Sequence, residues 1–189
     1  MRREVRRQKT AGRCVRLMFQ DESPFGRISE PKRCWAPGNF RPECPAQFVR
    51  EYTYAFAAVS PHDGVLDSLI LPEVNADTMS LFLREVSERH AEEFILMVLD
   101  GAGWHTAKAL RVPTNIKLVP LPPYSPQLNP VEHIWDEIRE KWFDNKVFRS
   151  FDAAETTLVE ALRNLEFDGN RVQGIAGFDW IVSISLNAT

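Results

Sequence analysis

Six consecutive apolar residues, Phe94 to Leu99 (FILMVL), end at Asp100. The run is unbroken by any polar residue, as expected of a central strand covered on both faces. Its length suits a strand, since buried helices need ten residues or more. Whatever else the chain does, it has to place cover on each side of this segment. The acid that ends it, followed by Gly101-Ala102-Gly103, then falls at a strand's carboxyl end.

The segments around this strand supply the rest of the sheet. Cys14 to Gln20 predicts a first strand closing on Asp21-Glu22, with Ser23-Pro24 and Gly26 as breakers. Residues 25–47 are punctuated by four prolines and a glycine (Pro31, Pro37, Gly38, Pro42 and Pro45) and predict a hairpin or elaborated loop. Phe48 to Ser60 and Val65 to Leu71 predict two strands joined by the tight turn His62-Asp63-Gly64. Asn75 or Asp77 caps a helix whose inner face is Met79, Phe82, Leu83 and Val86. A short helix is expected over Trp104 to Leu110, a fifth strand over Ile116 to Val119, and a helix capped by Ser150 or Asp152 with Ala154, Leu158, Ala161, Leu162 and Leu165 inward. A weaker final helix is expected over 170–184. This order, three antiparallel strands and then alternating helices and strands, is that of the α/β (mixed) ribonuclease-H-like fold: a five-stranded mixed sheet flanked by helices.

Between the fifth strand and the Ser150 helix lies VPLPPYSPQLNPVEHIWDEIREKW, Val119 to Trp142. It reads as a stiff proline loop that launches a helix, with Asn129 as N-cap, Pro130 at the first helical position and Glu132 three residues after the cap. Val131, Ile134, Trp135, Ile138 and Trp142 mark the buried face. Glu132 is either the glutamate of a capping box, bonded back to the Asn129 backbone, or a carboxylate held at a fixed place for chemistry.

The 189 residues suffice for one substantial domain. The apolar runs are too short to span a bilayer, and the basic N-terminus lacks a signal peptide's apolar segment, so a cytoplasmic protein with no membrane partner is expected. Cys14, Cys34 and Cys44 show no pairing pattern and read as free thiols ahead of a zinc site. Net charge is −3, but residues 1–16 hold seven basic residues against Glu4, a net of +6, leaving −9 on the remainder. That arm is either a phosphate-binding tail or a solvated extension. Arg27, Lys32, Arg33 and Arg41, mixed with Trp35 and Phe40, have the make-up of a phosphate- and base-contacting surface, or of a surface loop with its aromatics tucked inward.

Three carboxylates stand out by position: Asp21 after the first strand, Asp100 after the fourth, and Glu132 opening the helix after the fifth. In the ribonuclease-H-like order, strands one and four are central neighbours, so these acids would meet at one edge of the sheet. Without basic partners they repel, and hard oxygen ligands suit Mg²⁺ or Mn²⁺. Two such ions about 3.5–4 Å apart serve phosphoryl transfer. Glu22 lies on the opposite side of the strand from Asp21 and reads as a decoy. Asp136, one turn along from Glu132, is a candidate supporting acid, and Glu137 reads as solvated. His105 would contact a phosphate, orient an attacking water, or simply begin a helix.

FQDES around Asp21, VLDGAGWH around Asp100 and LPPYSPQLNPVEHIW around Glu132 closely resemble the DDE transposases of bacterial insertion sequences in the mariner superfamily, specifically the insertion sequence 630 group. RCWAPG, Arg33 to Gly38, resembles that family's Trp-containing hairpin. The resemblance runs from about Val15 to about Leu165. It implies a catalytic, metal-binding triad of Asp21, Asp100 and Glu132 with two divalent ions. Water would cleave a phosphodiester at a transposon end, and the freed 3′-hydroxyl would attack target DNA, in this superfamily usually at TA. It further implies a homodimer in the active complex. Gly101 stands where the family usually has Asn, and the 31 residues between Asp100 and Glu132 are slightly fewer than usual. Only 20 residues precede Asp21, too few for the family's helix-turn-helix modules. The expected division is therefore a basic arm or linker remnant over 1–13 and a DDE catalytic domain over 14–189. The alternatives to a transposase domain are a nonspecific nuclease of the same fold and an inactive, DNA-associating remnant.

Overall fold

The computed structural model describes residues 7–8, 12–29, 31–33, 35–40, 42–123 and 125–183. One sheet runs in the order β3-β2-β1-β4-β5, built from β1 (Cys14–Ile28), β2 (Phe48–Ser60), β3 (Val65–Leu71), β4 (Glu93–Leu99) and β5 (Ile116–Pro120). β1, β2 and β3 form an antiparallel meander. β4 adds parallel to β1, and β5 parallel to β4. The sequence-based expectation of a mixed five-stranded sheet with strands one and four adjacent holds.

Side-chain alternation sorts the strands into two cores. On one face Val15, Leu17 and Phe19 of β1, with Phe94, Leu96 and Val98 of β4, pack under helices α2 (Val131–Ile138), α3 (Phe151–Glu166), α4 (Gly169–Ala176) and α5 (Asp179–Val182). On the other, Met18, Ile95, Met97 and Leu99 pack under α1 (Ala76–Arg89) through Met79, Phe82, Leu83 and Val86. The FILMVL strand is buried throughout, as its lack of polar residues demanded. Asn75 caps α1: its Oδ1 accepts from the Asp77 and Thr78 N–H groups at 2.9 Å, and Thr78 Oγ1 accepts from the Asn75 N–H at 3.0 Å. Ser150 caps α3, and the five residues expected to face inward are all buried.

Three expectations fail. β1 does not stop at Gln20 but runs on to Ile28, so Asp21 is inside the strand. β2 stays paired alongside it as far as Ile28↔Phe48, while pairing with β4 ends at Phe19. Beyond Phe19 the strand is an edge, where Pro24 is tolerated. Gly26 is not a breaker either: a Cβ there would lie 2.0 Å from the Glu51 carbonyl oxygen, so glycine is what lets β2 approach. The helix expected over Trp104 to Leu110 is only a 3₁₀ turn, Gly103–His105. So short a segment, opened by glycine, cannot offset the cost of nucleation. The weak final helix divides into α4 and α5 at Gly177-Phe178, and its expected last residue, 184, lies outside the described residues.

Candidate active site

Alternation along β1 decides where its acids go. Asp21 continues the odd-numbered face and meets α2, where the indole N–H of Trp135 donates to its Oδ2 at 2.9 Å. Trp135 is fully buried. A buried indole N–H needs an acceptor, and here the acceptor is the candidate ligand itself. Glu22 continues the even face and is buried against the turn after β4.

Asp100 follows β4 directly. Its Oδ1 accepts from the Ala102 N–H at 2.9 Å and lies 2.9 Å from Nδ1 of His105. The carboxylate is otherwise half exposed, and its Oδ2 has no protein partner among the described residues.

Glu132 sits in the first turn of α2. The helix begins at Val131, one residue later than predicted, with Pro130 already at helical φ/ψ of −66° and −14°. Asn129 does cap: its Oδ1 accepts from the Val131 N–H at 3.3 Å, while its Nδ2 donates to the Gln20 carbonyl at 3.0 Å. One side chain thus starts the helix and ties the proline loop to the residue before Asp21. The expected capping box is absent. The Asn129 N–H donates to the Pro126 carbonyl at 2.8 Å, so it has no need of Glu132. The Glu132 carboxylate is left half-buried and uncommitted among the described residues.

Asp21, Asp100 and Glu132 line one cleft of about 550 Å³ with Gly101, Ala102, Leu121, Pro122, Pro123, Ser125, Pro126 and Asn129. No cationic side chain is among these described residues. Burial pushes the Asp21 carboxyl up to about 7; the Trp135 hydrogen bond opposes this, and the charges of Glu132 and Glu22 add to it. Three carboxylates in a cleft without a cation are the donor set for a hard divalent ion. As placed, they share the cleft without converging: among the described residues no three His, Cys, Asp or Glu side chains stand close enough to hold one ion. The residues fit such an ion in chemistry and neighbourhood.

The other candidates separate. His105 is brought to the site, its ring bridging Glu22 and Asp100. Asp136 is not: its side chain is 73% exposed, and its charged neighbour is Arg139 at 3.9 Å. Arg33 lines a different hollow with Lys32, Pro42, Glu43, Cys44, Pro45 and Asn145. Trp35 is fully exposed rather than tucked inward, and lies outside the cleft lining. Glu137 is not solvated but pairs with Arg171 and with Lys141 at 2.7 Å, pinning α4 to α2. Arg16, counted with the basic arm, is instead a strand residue paired with Asp63 and Glu93, each at 2.6 Å. Most of the arm, and Cys34, lie outside the described residues; Cys14 and Cys44 are free thiols.

Sequence reasoning missed two contributors. Trp135 looked like core alone, though an indole three residues from Glu132 on a buried face signals a donor in search of an acceptor. Glu22 was set aside because it faces away from Asp21, which is true. Its partner, His105, returns it to the site from the other face.

A parallel β1–β4 pair, extended by an antiparallel meander on one side and by β5 on the other, with helices on both faces, is the ribonuclease-H-like fold. Residues 16–155 match the family model described as DDE superfamily endonuclease, and the chain belongs to that family. It is 35% identical over 131 residues to the uncharacterized protein y4pE/y4sA of Sinorhizobium fredii, covering 68% of this chain and 96% of that one. Its fold is similar to Mos1 transposase in a pre-cleavage transpososome, with a TM-score of 0.61 and 16% identity over 98% of this chain. It is likewise similar to the Mos1 mariner paired-end complex with Mn, with a TM-score of 0.58 and 18% identity over 93% of this chain. In both cases it spans 60% of the Mos1 chain.

Proposed function

We propose that this chain is the catalytic domain of a DNA transposase of the insertion sequence 630 group, cutting phosphodiester bonds and joining the freed 3′-hydroxyl to target DNA. The observation that carries the reading is the cleft itself: Asp21, Asp100 and Glu132, delivered by three separate elements, open onto it, and no Lys or Arg is among its described lining residues. Those three side chains would hold one or two Mg²⁺ or Mn²⁺ ions. Bound there, divalent ions would supply the Lewis acidity that activates an attacking oxygen and stabilises the leaving one.

The chain's own residues do the positioning. Trp135 holds Asp21 by its Oδ2, Asn129 fixes the helix start that carries Glu132, and the backbone turn at Ala102 holds Asp100. The exposed loop bearing Arg33 and Trp35 offers a cation and a stacking surface to DNA. Water attack leaves a 3′-hydroxyl and a 5′-phosphate. The 3′-hydroxyl then displaces a 3′-oxygen in the target strand, at TA by family resemblance, within a homodimer.

The test is cleavage of DNA in Mg²⁺ and Mn²⁺ by the wild-type chain beside Asp100→Ala. Metal-dependent cutting, lost in the variant, together with joining of a pre-cut 3′-hydroxyl end, is the expected result. Cutting without joining marks a nuclease; equal inertness of both proteins marks a remnant and contradicts the enzymatic reading.

A further inference from the structure

On the face of β1 away from Asp21, Glu22 and His105 are buried together, with side chains 6% and 2% exposed. Glu22 Oε1 lies 3.2 Å from His105 Nε2 and accepts from the Trp104 indole N–H at 3.3 Å. The other ring nitrogen, Nδ1, lies 2.9 Å from Asp100 Oδ1 and 3.2 Å from the Asp100 carbonyl oxygen. Each ring nitrogen thus faces a carboxylate oxygen, one from either side of the ring.

Stability does not explain this arrangement. A buried pair of opposite charges gains little over apolar residues of the same volume, because desolvation offsets the attraction. Packing does not hold Asp100 either. A Cβ built on Gly101 or on Gly103 would meet nothing within 4 Å, so no packing contact at either glycine fixes the turn. Side-chain restraint on the Asp100 carboxylate comes from His105, and His105 is anchored by Glu22, 83 residues away in sequence.

We propose that Glu22 and His105 are a positioning pair for Asp100: Glu22 fixes the imidazole, and Nδ1 of the imidazole fixes Oδ1, so that Oδ2 is presented to the cleft. This rests on reading the cleft as a divalent-ion site. Neither residue touches the ion; the pair sets which rotamer of Asp100 meets it, as outer partners of ligating groups do elsewhere at a cost of about 10–100-fold in metal affinity when removed.

Two near-isosteric substitutions separate the two ring nitrogens. The amide of asparagine falls where Nδ1 is, and that of glutamine where Nε2 is. Mn²⁺ titration by calorimetry on wild type, His105→Asn, His105→Gln, His105→Ala and Asp100→Ala reads the proposal without relying on turnover. His105→Gln and His105→Ala are expected to weaken Mn²⁺ binding about tenfold or more, and His105→Asn to stay nearer wild type. Glu22→Gln, which keeps the acceptor, is expected to bind better than Glu22→Ala. Nitrogen NMR of the metal-free protein supplies the second readout: Asp100→Asn moves the Nδ1 signal of His105 and Glu22→Gln the Nε2 signal. Equal Mn²⁺ affinity across wild type and all His105 variants, with Asp100→Ala still defective, would overturn the pair and leave the metal site standing. A wild-type chain that binds no Mn²⁺ would overturn the metal site and the pair's purpose with it. His105 ring signals unmoved by either substitution would overturn the geometry.

Discussion

The parallel strands of this sheet have acids at both ends, in opposite company. At the amino ends, Arg16 of β1 reaches both Asp63 and Glu93 at 2.6 Å, and His90 bridges Glu93 at 3.0 Å and the buried Asp67 at 2.8 Å. Arg89 adds a second cation to Asp67 at 3.1 Å. At the carboxyl ends, Asp21, Asp100 and Glu132 line a cleft with no cation among its described residues. The electrostatics diverge accordingly. Partial burial favours protonating Glu93, but Arg16 and then His90 outweigh it and hold the carboxyl below its usual range. Burial of Asp21 meets no such opposition, and its carboxyl rises to about 7. A paired acid cluster closes one end of a fold; at the other end only Asp100 has an imidazole beside it, and leaving Asp21 and Glu132 without a cation is a cost that folding alone does not require. Ligands of open α/β sheets sit outside the carboxyl ends of the strands, which is where the unpaired set is found.

The contrast can be broken at several points. The largest effect belongs to Asp100→Ala: metal-dependent cleavage should fall on the order of a thousandfold, since a metal's charge stabilisation is worth several kcal/mol, while circular dichroism and melting stay close to wild type. Trp135→Phe spans both roles, removing a buried donor from Asp21 and leaving a gap in the core. Urea denaturation should show a loss of about 2–4 kcal/mol, with cleavage impaired as well. Arg16→Met acts on the paired end alone. It strands Glu93 and Asp63, and because these are partly exposed the loss should be only about 1–3 kcal/mol, with cleavage by the folded fraction unchanged.

Asp21→Asn runs the other way. The folded-state pKa lies above the ordinary value of 3.8, so the ionised form disfavours folding. The penalty is absent below about pH 4, grows through the interval, and is complete above about pH 7. Asp21→Asn should therefore melt higher than wild type at pH 8, by on the order of 1–3 kcal/mol of stability, and match it at pH 4. Glu93 and Asp63 have the opposite sign. Their pKa values are lowered, so their contribution is present at neutral pH and lost as the pH falls through their folded values. The smallest effect is expected of Asp136→Asn, whose exposed carboxylate stands apart from the cleft: cleavage should change less than about twofold.

Much of this was legible in residue order. The apolar FILMVL run, the strand–turn–strand around Asp63-Gly64 and the capped helices are local patterns, and they appear where periodicity and capping place them. So do Asp100 and Glu132, each tied to the end or start of an element, whereas Asp21 lies inside β1. What stayed hidden depends on neighbours distant in sequence. Pro24 and Gly26 look like breakers until β2 is laid beside them. Glu132 looks like a capping glutamate until Pro126 takes the Asn129 N–H. Trp135 looks like core, and Glu22 like a decoy, until α2 and the Trp104-His105 turn arrive from over 80 residues away. Arg16 reads as part of a basic tail until Asp63 and Glu93 close on it.

A crystal structure of the chain soaked in Mn²⁺, read by anomalous scattering, tests the central claim most directly. Manganese bound by Asp21, Asp100 and Glu132, with the Asp100 and Glu132 side chains turned toward it and the Arg16–Glu93–His90 end bare, is the predicted result. Manganese at the paired acids, or anywhere other than among those three carboxylates, would contradict it.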